Sequence, residues 1–72
     1  MTDHQKLDWI GENVLRISTH GQSRKGREIV GVEWTVDGHH HEETVGIGKT
    51  VKAAFRKALT KAIDHFEELN EV

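Results

Sequence analysis

The stretch that decides the fold is residues 46–70, GIGKTVKAAFRKALTKAIDHFEELN. From Thr50 onward, apolar residues recur with the 3.6-residue period of an α-helix, which predicts a helix over residues 50–70 with Thr50 as its N-cap. At 1.5 Å per residue, this helix is about 30 Å long. Its continuous apolar stripe consists of Val51, Ala54, Phe55, Ala58, Leu59, Ala62, Ile63, Phe66 and Leu69. A stripe of that length predicts that the helix is the main packing partner of the remaining chain.

The segments upstream show the two-residue period of β-strands. Residues 28–36 are the clearest, because four large apolar side chains alternate with other residues and predict one apolar face that includes Trp34. Residues 14–19 show a similar alternation and predict a first strand. Residues 20–27 are polar and flanked by glycines, which predicts a loop between the two strands.

Asp37-Gly38 indicates a hairpin turn after the second strand, because both central positions of a two-residue turn need positive φ. A return strand over roughly residues 40–47 then pairs with the second strand. With a two-residue turn, Val36 faces His39 and Val45 faces Val30. A longer loop or a bulge is an equally good alternative, and the sequence does not decide between these registers.

At the N terminus, residues 3–11 predict a short helix. Thr2 or Asp3 is suited to the N-cap, and Gly11 to the end of the helix. Trp9, like Trp34, is expected in the core, because a large aromatic side chain contributes most when it is buried.

Together these elements predict a single domain over residues 1–72. Its order is (α)-β-β-β-α, with the short helix at 3–11, a three-stranded antiparallel sheet within 14–47, and the long helix at 50–70. This is a two-layer α+β fold, in which one face of the sheet packs on the C-terminal helix.

The composition of the chain argues against several classes of function. The chain has no cysteine, and no apolar run in it is long enough for a membrane span or a signal peptide, so we expect a cytoplasmic protein without membrane association. The net charge of −2 provides no global attraction to polyanions, so binding to one requires a local patch. The sequence contains no Ser-His-Asp or paired-carboxylate arrangement, and we expect neither an enzyme nor a cofactor.

The charges of the long helix run against its macrodipole. The stretch 49–61 holds five cations and no acid, whereas 64–71 holds four acids and no Lys or Arg. A helix favours the opposite order by roughly 0.3–1 kcal/mol per well-placed charge. A cationic helix start with free backbone N–H groups is suited to a phosphate. The acidic end either keeps the helix soluble or meets the basic patch of another subunit.

The candidate phosphate-binding residues fall into two groups. The loop contributes Arg24, Lys25 and Arg27, and the helix start contributes Lys49, Lys52 and Arg56. If both groups contact one duplex, they must lie on the same side of the domain.

Residues 39–43, His-His-His-Glu-Glu, hold ligand types suited to zinc, nickel or copper. Consecutive side chains on a strand alternate faces, however, so only His39 and His41 point together. In the two-residue-turn register, His41 and Glu43 lie near the end of the apolar face. We therefore interpret the segment as a polar hairpin tip and expect no native metal site.

The spacing Gly46-x-Gly48-x-Thr50-x-Lys52-x-Ala54, followed by alanines at every fourth position, resembles the C-terminal signature of the double-stranded-RNA-binding domain. That resemblance implies an α-β-β-β-α fold in which the loop between the first two strands enters an RNA minor groove. It implies that Gly21, Arg24 and Lys25 lie in that loop. The same resemblance makes Lys52 a phosphate ligand, with Lys49 and Arg56 nearby. Val51 and Phe55 stand where that family has lysines.

Residues 32–38 and 51–55 also resemble part of the C-terminal regulatory domain of isopropylmalate synthases. That resemblance implies dimerisation or binding of a small effector. Lys52 replaces the acid of that motif.

These observations lead to two hypotheses. The first is a small non-enzymatic domain that contacts nucleic-acid phosphates, with duplex RNA favoured, through its basic loop and helix start. The alternative is a protein-interaction module or homodimer, acting as regulator or inhibitor of a larger complex, that presents a sheet edge or its charged helix to another protein.

Overall fold

The computed structural model describes residues 2–36, 39–40 and 43–70, and only the backbone of residues 39, 40 and 70. The elements in chain order are α1 (Asp3–Asn13), β1 (Val14–Gln22), β2 (Glu28–Val36), β3 (His39–His40), β4 (Thr44–Gly48) and α2 (Val51–Asn70). The predicted α+β class is confirmed. A sheet three antiparallel strands wide packs against the C-terminal helix. Neither helix in these ranges has the length and apolar character needed to cross a membrane.

Strand β2 is the centre of the sheet, with β1 on one side and both β3 and β4 on the other. The return strand is therefore divided into two short pieces. Val36 lies opposite His39, as the two-residue turn predicts, but Val30 lies opposite Gly46 and not opposite Val45. One extra residue between β3 and β4 accounts for this shift, so the alternative of a bulge or longer loop holds for β4.

The shift of one residue reverses the two faces of β4, because side chains alternate along a strand. Gly46 faces α2, and Val45 faces away from it. Glu43 lies on the side away from α2, where its side chain crosses over Gly31. The two-residue-turn register, which would place Glu43 on the apolar face, is therefore wrong for this part of the chain. Residues 37–38 and His41 lie outside the described ranges.

Helix α1 begins at a capping box. The Thr2 hydroxyl accepts from the Gln5 N–H at 3.2 Å, and the Gln5 side chain accepts from the Thr2 N–H at 2.8 Å. The helix does not end at Gly11, as predicted, but continues to Asn13. There the Asn13 amide donates to the Thr35 carbonyl at 3.1 Å, and the Thr35 hydroxyl donates to the Asn13 carbonyl at 3.3 Å. This link to β2 extends the helix past its glycine.

Strand β1 is longer than predicted and runs to Gln22, which shortens the loop to residues 23–27. Its pairing with β2 is interrupted between Val14 and Arg16 and again between Thr19 and Gln22. Helix α2 packs on β4 and β2 and leaves β1 largely uncovered. This explains why β1 carries exposed aliphatic side chains, Leu15 at 59% and Ile17 at 47%.

The core lies between β2, α1 and the middle of α2. Trp34 is fully buried and Trp9 is 5% exposed, which confirms the prediction for both. The centroids of their rings lie 5.9 Å apart. The Phe66 ring lies edge-on to Trp9, with 5.6 Å between the two ring centroids. The other buried members of this cluster are Val32, Ala58, Leu59, Ala62 and Ile63. The aromatic group therefore joins both helices to the sheet.

Helix α2 lies directly on β4 because two glycines leave room for its backbone. A Cβ added to Gly46 would lie 2.9 Å from the Cα of Ala58, and one added to Gly48 would lie 2.7 Å from the N of Ala54. Both alanines are fully buried. The Gly-x-Gly pair and the alanines at every fourth position are therefore the two sides of one close contact.

Candidate nucleic-acid interface

The register of the sheet places the β1–β2 loop and the start of α2 at the same end of the molecule. Gln22 lies opposite Glu28, and Glu28 lies opposite Gly48. Residues 23–27 and 49–50 therefore leave the sheet side by side. We call this end of the molecule the basic end. Its cations are Arg24, Lys25, Arg27, Lys49, Lys52 and Arg56.

The loop of the basic end is a compact, hydrogen-bonded turn. The Ser23 N–H donates to the Arg27 carbonyl at 2.7 Å, and the Gly26 N–H donates to the Ser23 carbonyl at 2.9 Å. Gly26 has φ of +75°, which its missing Cβ permits. Arg24, Lys25 and Arg27 then surround a shallow depression that ends at Ile47 of β4. Because Ile47 faces away from α2, the turn gathers its three cations towards the outer face of the sheet, whereas Lys52 and Arg56 lie on the α2 side of the same end.

The start of α2 is capped as predicted. The Thr50 hydroxyl accepts from the Ala53 N–H at 3.1 Å, and its carbonyl accepts from the Ala54 N–H at 2.9 Å. The N–H groups of Val51 and Lys52 have no intrahelical acceptor in an α-helix. They lie beside the exposed Lys49 and Lys52 side chains. An anion at this position would meet both backbone donors and ammonium groups.

The cations of the basic end form no ion pairs with the described acids. In the described ranges, the contacts between a basic and an acidic side chain are His4–Asp8 at 3.6 Å and His20–Glu43 at 2.6 Å, and neither involves Lys or Arg. Lys61 is engaged differently, because its ammonium donates to the Val45 carbonyl at 3.4 Å. All six side chains of the basic end are exposed.

Lys6 of α1 is a further cation near Lys52 and Arg56 that the sequence interpretation missed, and on its other side it lies near Asp64 and Glu67. It lines a groove of about 650 Å³ between α1 and α2, together with Lys52 and Arg56. We call this the α1–α2 groove, and its lining residues are Asp3, Lys6, Leu7, Ile10, Lys52, Phe55, Arg56, Leu59 and Thr60. Only the packing of the two helices brings Lys6 to this position. The sole sequence signal is that Lys6 shares a helix face with the apolar Ile10, four residues later.

The opposite part of the helix layer is acidic. Asp64, Glu67 and Glu68 are exposed on the second half of α2. Glu67 lines a depression together with Asp8 and Glu12 of α1. The charge separation along α2 therefore extends to α1, and the whole domain has a basic and an acidic end.

The outer face of the sheet holds a polar bridge across its central strand. His20 of β1 and Glu43 lie 2.6 Å apart, and the Glu43 side chain covers Gly31 of β2. The described residues contain no group of three His, Cys, Asp or Glu side chains arranged to hold a metal ion. His41 and Glu42 of the histidine-rich segment lie outside the described ranges.

Comparison of the chain with protein families, with curated proteins and with solved structures found no match. Both family resemblances therefore stay predictions. Where the double-stranded-RNA-binding domain has lysines, Val51 is 45% exposed and Phe55 packs against the core. A lysine at position 51 would be exposed, whereas one at position 55 would replace an aromatic ring that packs against the core.

Proposed function

We propose that this chain binds the phosphates of nucleic acid through its basic end, and that duplex RNA is the preferred ligand. One observation supports the proposal above the others. The sheet register and the capped start of α2 bring six exposed cations to one end, where no described acid pairs with them. With a net charge of −2, the protein has no global attraction to a polyanion, so this local group of cations is what would bind one.

The arrangement has an energetic cost that a phosphate would offset. Lys52 and Arg56 are one turn apart, and like charges at this spacing destabilise a helix by a few tenths of a kcal/mol. Their position in the first turns of α2 also opposes the macrodipole. A phosphate at the helix start neutralises the cations and accepts from the free N–H groups of Val51 and Lys52.

Two separated cationic groups suit a duplex better than a single strand. The loop with Arg24, Lys25 and Arg27 and the helix start can each contact a different stretch of phosphates. A-form RNA is recognised by such spacing of phosphates and by its 2′-hydroxyls, without reading of bases. About four to six phosphate contacts would make the affinity fall steeply with salt.

The test is fluorescence anisotropy with labelled duplex RNA, duplex DNA and single-stranded RNA, each at low and near-physiological salt. We expect duplex RNA to bind best, with a steep salt dependence. The triple variant K49E/K52E/R56E should lose binding while its circular dichroism and unfolding midpoint stay near those of the wild type. All three side chains are exposed, so the fold does not depend on them.

A matched pair of single variants separates a local effect from net charge. Lys52→Glu and Arg16→Glu change the net charge equally, but Arg16 lies on β1, away from the basic end, where its side chain donates to the Ser18 hydroxyl. We expect Lys52→Glu to weaken binding about tenfold or more and Arg16→Glu to leave it nearly unchanged. Unchanged binding by the triple variant, or no binding of the wild type at low salt, would refute the proposal.

A further inference from the structure

The α1–α2 groove has features that phosphate binding does not require. Its lining includes Leu7, which is 66% exposed, together with the partly buried Phe55. Lys6, Lys52 and Arg56 surround this apolar floor, and Asp3 is the one carboxylate among the lining residues. An apolar surface with a cationic border is suited to an amphipathic segment that carries acids beside apolar side chains.

The end of α2 is such a segment. Asp64, Glu67 and Glu68 are exposed there, and Leu69 is 43% exposed on the same turn. This acidic, leucine-bearing end of α2 complements the α1–α2 groove in charge and in apolar character. We propose that the acidic end of α2 from one copy docks in the α1–α2 groove of a second copy.

For Lys52 and Arg56 the contact has to be intermolecular, whereas Lys6 already lines a depression with Asp64 and Glu67 of its own chain. The groove is lined by residues 52–60 of α2, and the acidic end begins at Asp64 of the same helix. Lys52 and Glu68 are separated by about 24 Å along a rigid helix, so they cannot meet within one chain. Head-to-tail docking would also place acids near the start of one helix and cations near the end of another. Both helices then have neighbours of the sign that their macrodipoles favour.

This contact joins two different surfaces, so each docked copy still has one groove or one acidic end unoccupied. Such a heterologous interface produces open chains that grow with concentration, unless the rotation closes a ring. It also covers Lys52 and Arg56, which belong to the basic end. Nucleic acid and a second copy would therefore compete, although the docking itself does not depend on the proposed function.

The test is sedimentation velocity over a concentration series at low salt, without nucleic acid. The wild type should form species larger than a monomer, and added salt should dissociate them into monomers. The groove variant K6E/K52E/R56E and the acidic-end variant D64K/E67K/E68K should each remain monomeric. Arg16→Glu, which lies outside both surfaces, should associate like the wild type.

Mixing the two charge-reversed variants is the decisive step. The groove variant retains only a functional acidic end, and the acidic-end variant retains only a functional groove. The mixture should therefore associate again, because the acidic end of the first variant meets the native groove of the second, and the reversed groove and the reversed end are also opposite in charge. Leu7→Ser should weaken self-association without weakening the binding of duplex RNA, since Leu7 contributes no charge.

Three results would overturn the proposal. A wild type that stays monomeric at the highest concentration and lowest salt excludes self-docking and leaves the groove to an acidic helix of another protein. Dimers that persist in both charge-reversed variants indicate a different, two-fold interface. A mixture that stays monomeric shows that the two surfaces do not meet. None of these results bears on nucleic-acid binding, which anisotropy measures separately.

Discussion

Substituting Gly46 by alanine tests the close contact on which the domain is built. The added Cβ would lie 2.9 Å from the Cα of Ala58, and still closer to the carbonyl oxygen of Ala54 and the backbone N of Ala58. Carbon atoms in favourable contact are about 3.5–4.0 Å apart, so α2 would have to move away from β4 by roughly 1 Å. None of the obstructing atoms belongs to a side chain that could rotate aside.

The expected cost follows from that movement. Overpacking a core typically costs about 1–3 kcal/mol, and a gap of 0.5–1 Å forfeits roughly a quarter to a half of the dispersion energy between the separated atoms. Because the separation affects the whole contact of α2 with β4, we expect a loss near the upper limit, about 3 kcal/mol. A chain of this length has a free energy of unfolding of about 4–11 kcal/mol. Gly46→Ala should therefore remove a large fraction of the stability.

Urea unfolding followed by tryptophan fluorescence measures this loss, since Trp9 and Trp34 are both buried. If the free energy of unfolding falls by about 1 kcal/mol per molar urea, the unfolding midpoint should fall by about 3 M. Gly11→Ala is the matched control, because nothing lies within 4 Å of its added Cβ in the exposed helix α1. The free energy of unfolding of that variant should rise by about 0.5–1 kcal/mol. A Gly46→Ala protein as stable as the wild type would refute the close approach of α2 to β4.

Three further predictions follow from single contacts. Thr50→Ala removes the N-cap of α2 and should cost about 1 kcal/mol in urea unfolding, and an unchanged midpoint would contradict the cap. Gly31→Ala places a Cβ 2.8 Å from the Cγ of Glu43, a side chain that can swing away. It should cost less than about 1 kcal/mol while NMR shows the His20–Glu43 bridge broken, and an intact bridge would be the contrary result. Val51→Lys adds a cation at an exposed position of the helix start. Anisotropy should show a salt dependence steeper by about one unit of slope, and an unchanged slope would argue against a phosphate there.

Local patterns predicted most of the helices and strands. Strand β2 has the bounds that the alternation of its valines and Trp34 indicated, and α2 follows its capping residue as expected. In both elements, the period of the apolar residues is long enough to be distinctive and the end signals are strong. The ends of α1 and β1 were less predictable, because a tertiary link to Thr35 extends α1 and because β1 lacks a helix over its face.

The register of β4 could not be predicted from the hairpin alone, because it depends on what the opposite layer can accept. The two-residue-turn register would place Val45 and Ile47 against α2. The helix backbone lies too close to β4 for any side chain there, so Gly46 and Gly48 must face it instead. The extra residue between β3 and β4 is the adjustment that satisfies this requirement. Lys6 was missed for a similar reason, since only the packing of α1 beside α2 brings it near Lys52 and Arg56.

The resemblance to the double-stranded-RNA-binding domain separates into two parts with different physical meaning. The glycines at 46 and 48 and the alanines at 54, 58 and 62 are explained by packing, so any protein with this contact would need them, whatever it binds. Packing explains none of the cations of the basic end, which are exposed, and those at the start of α2 are also placed against the helix dipole. The glycine and alanine spacing therefore supports the fold alone. The case for a polyanionic ligand depends on charges that the fold does not need and that reduce its stability.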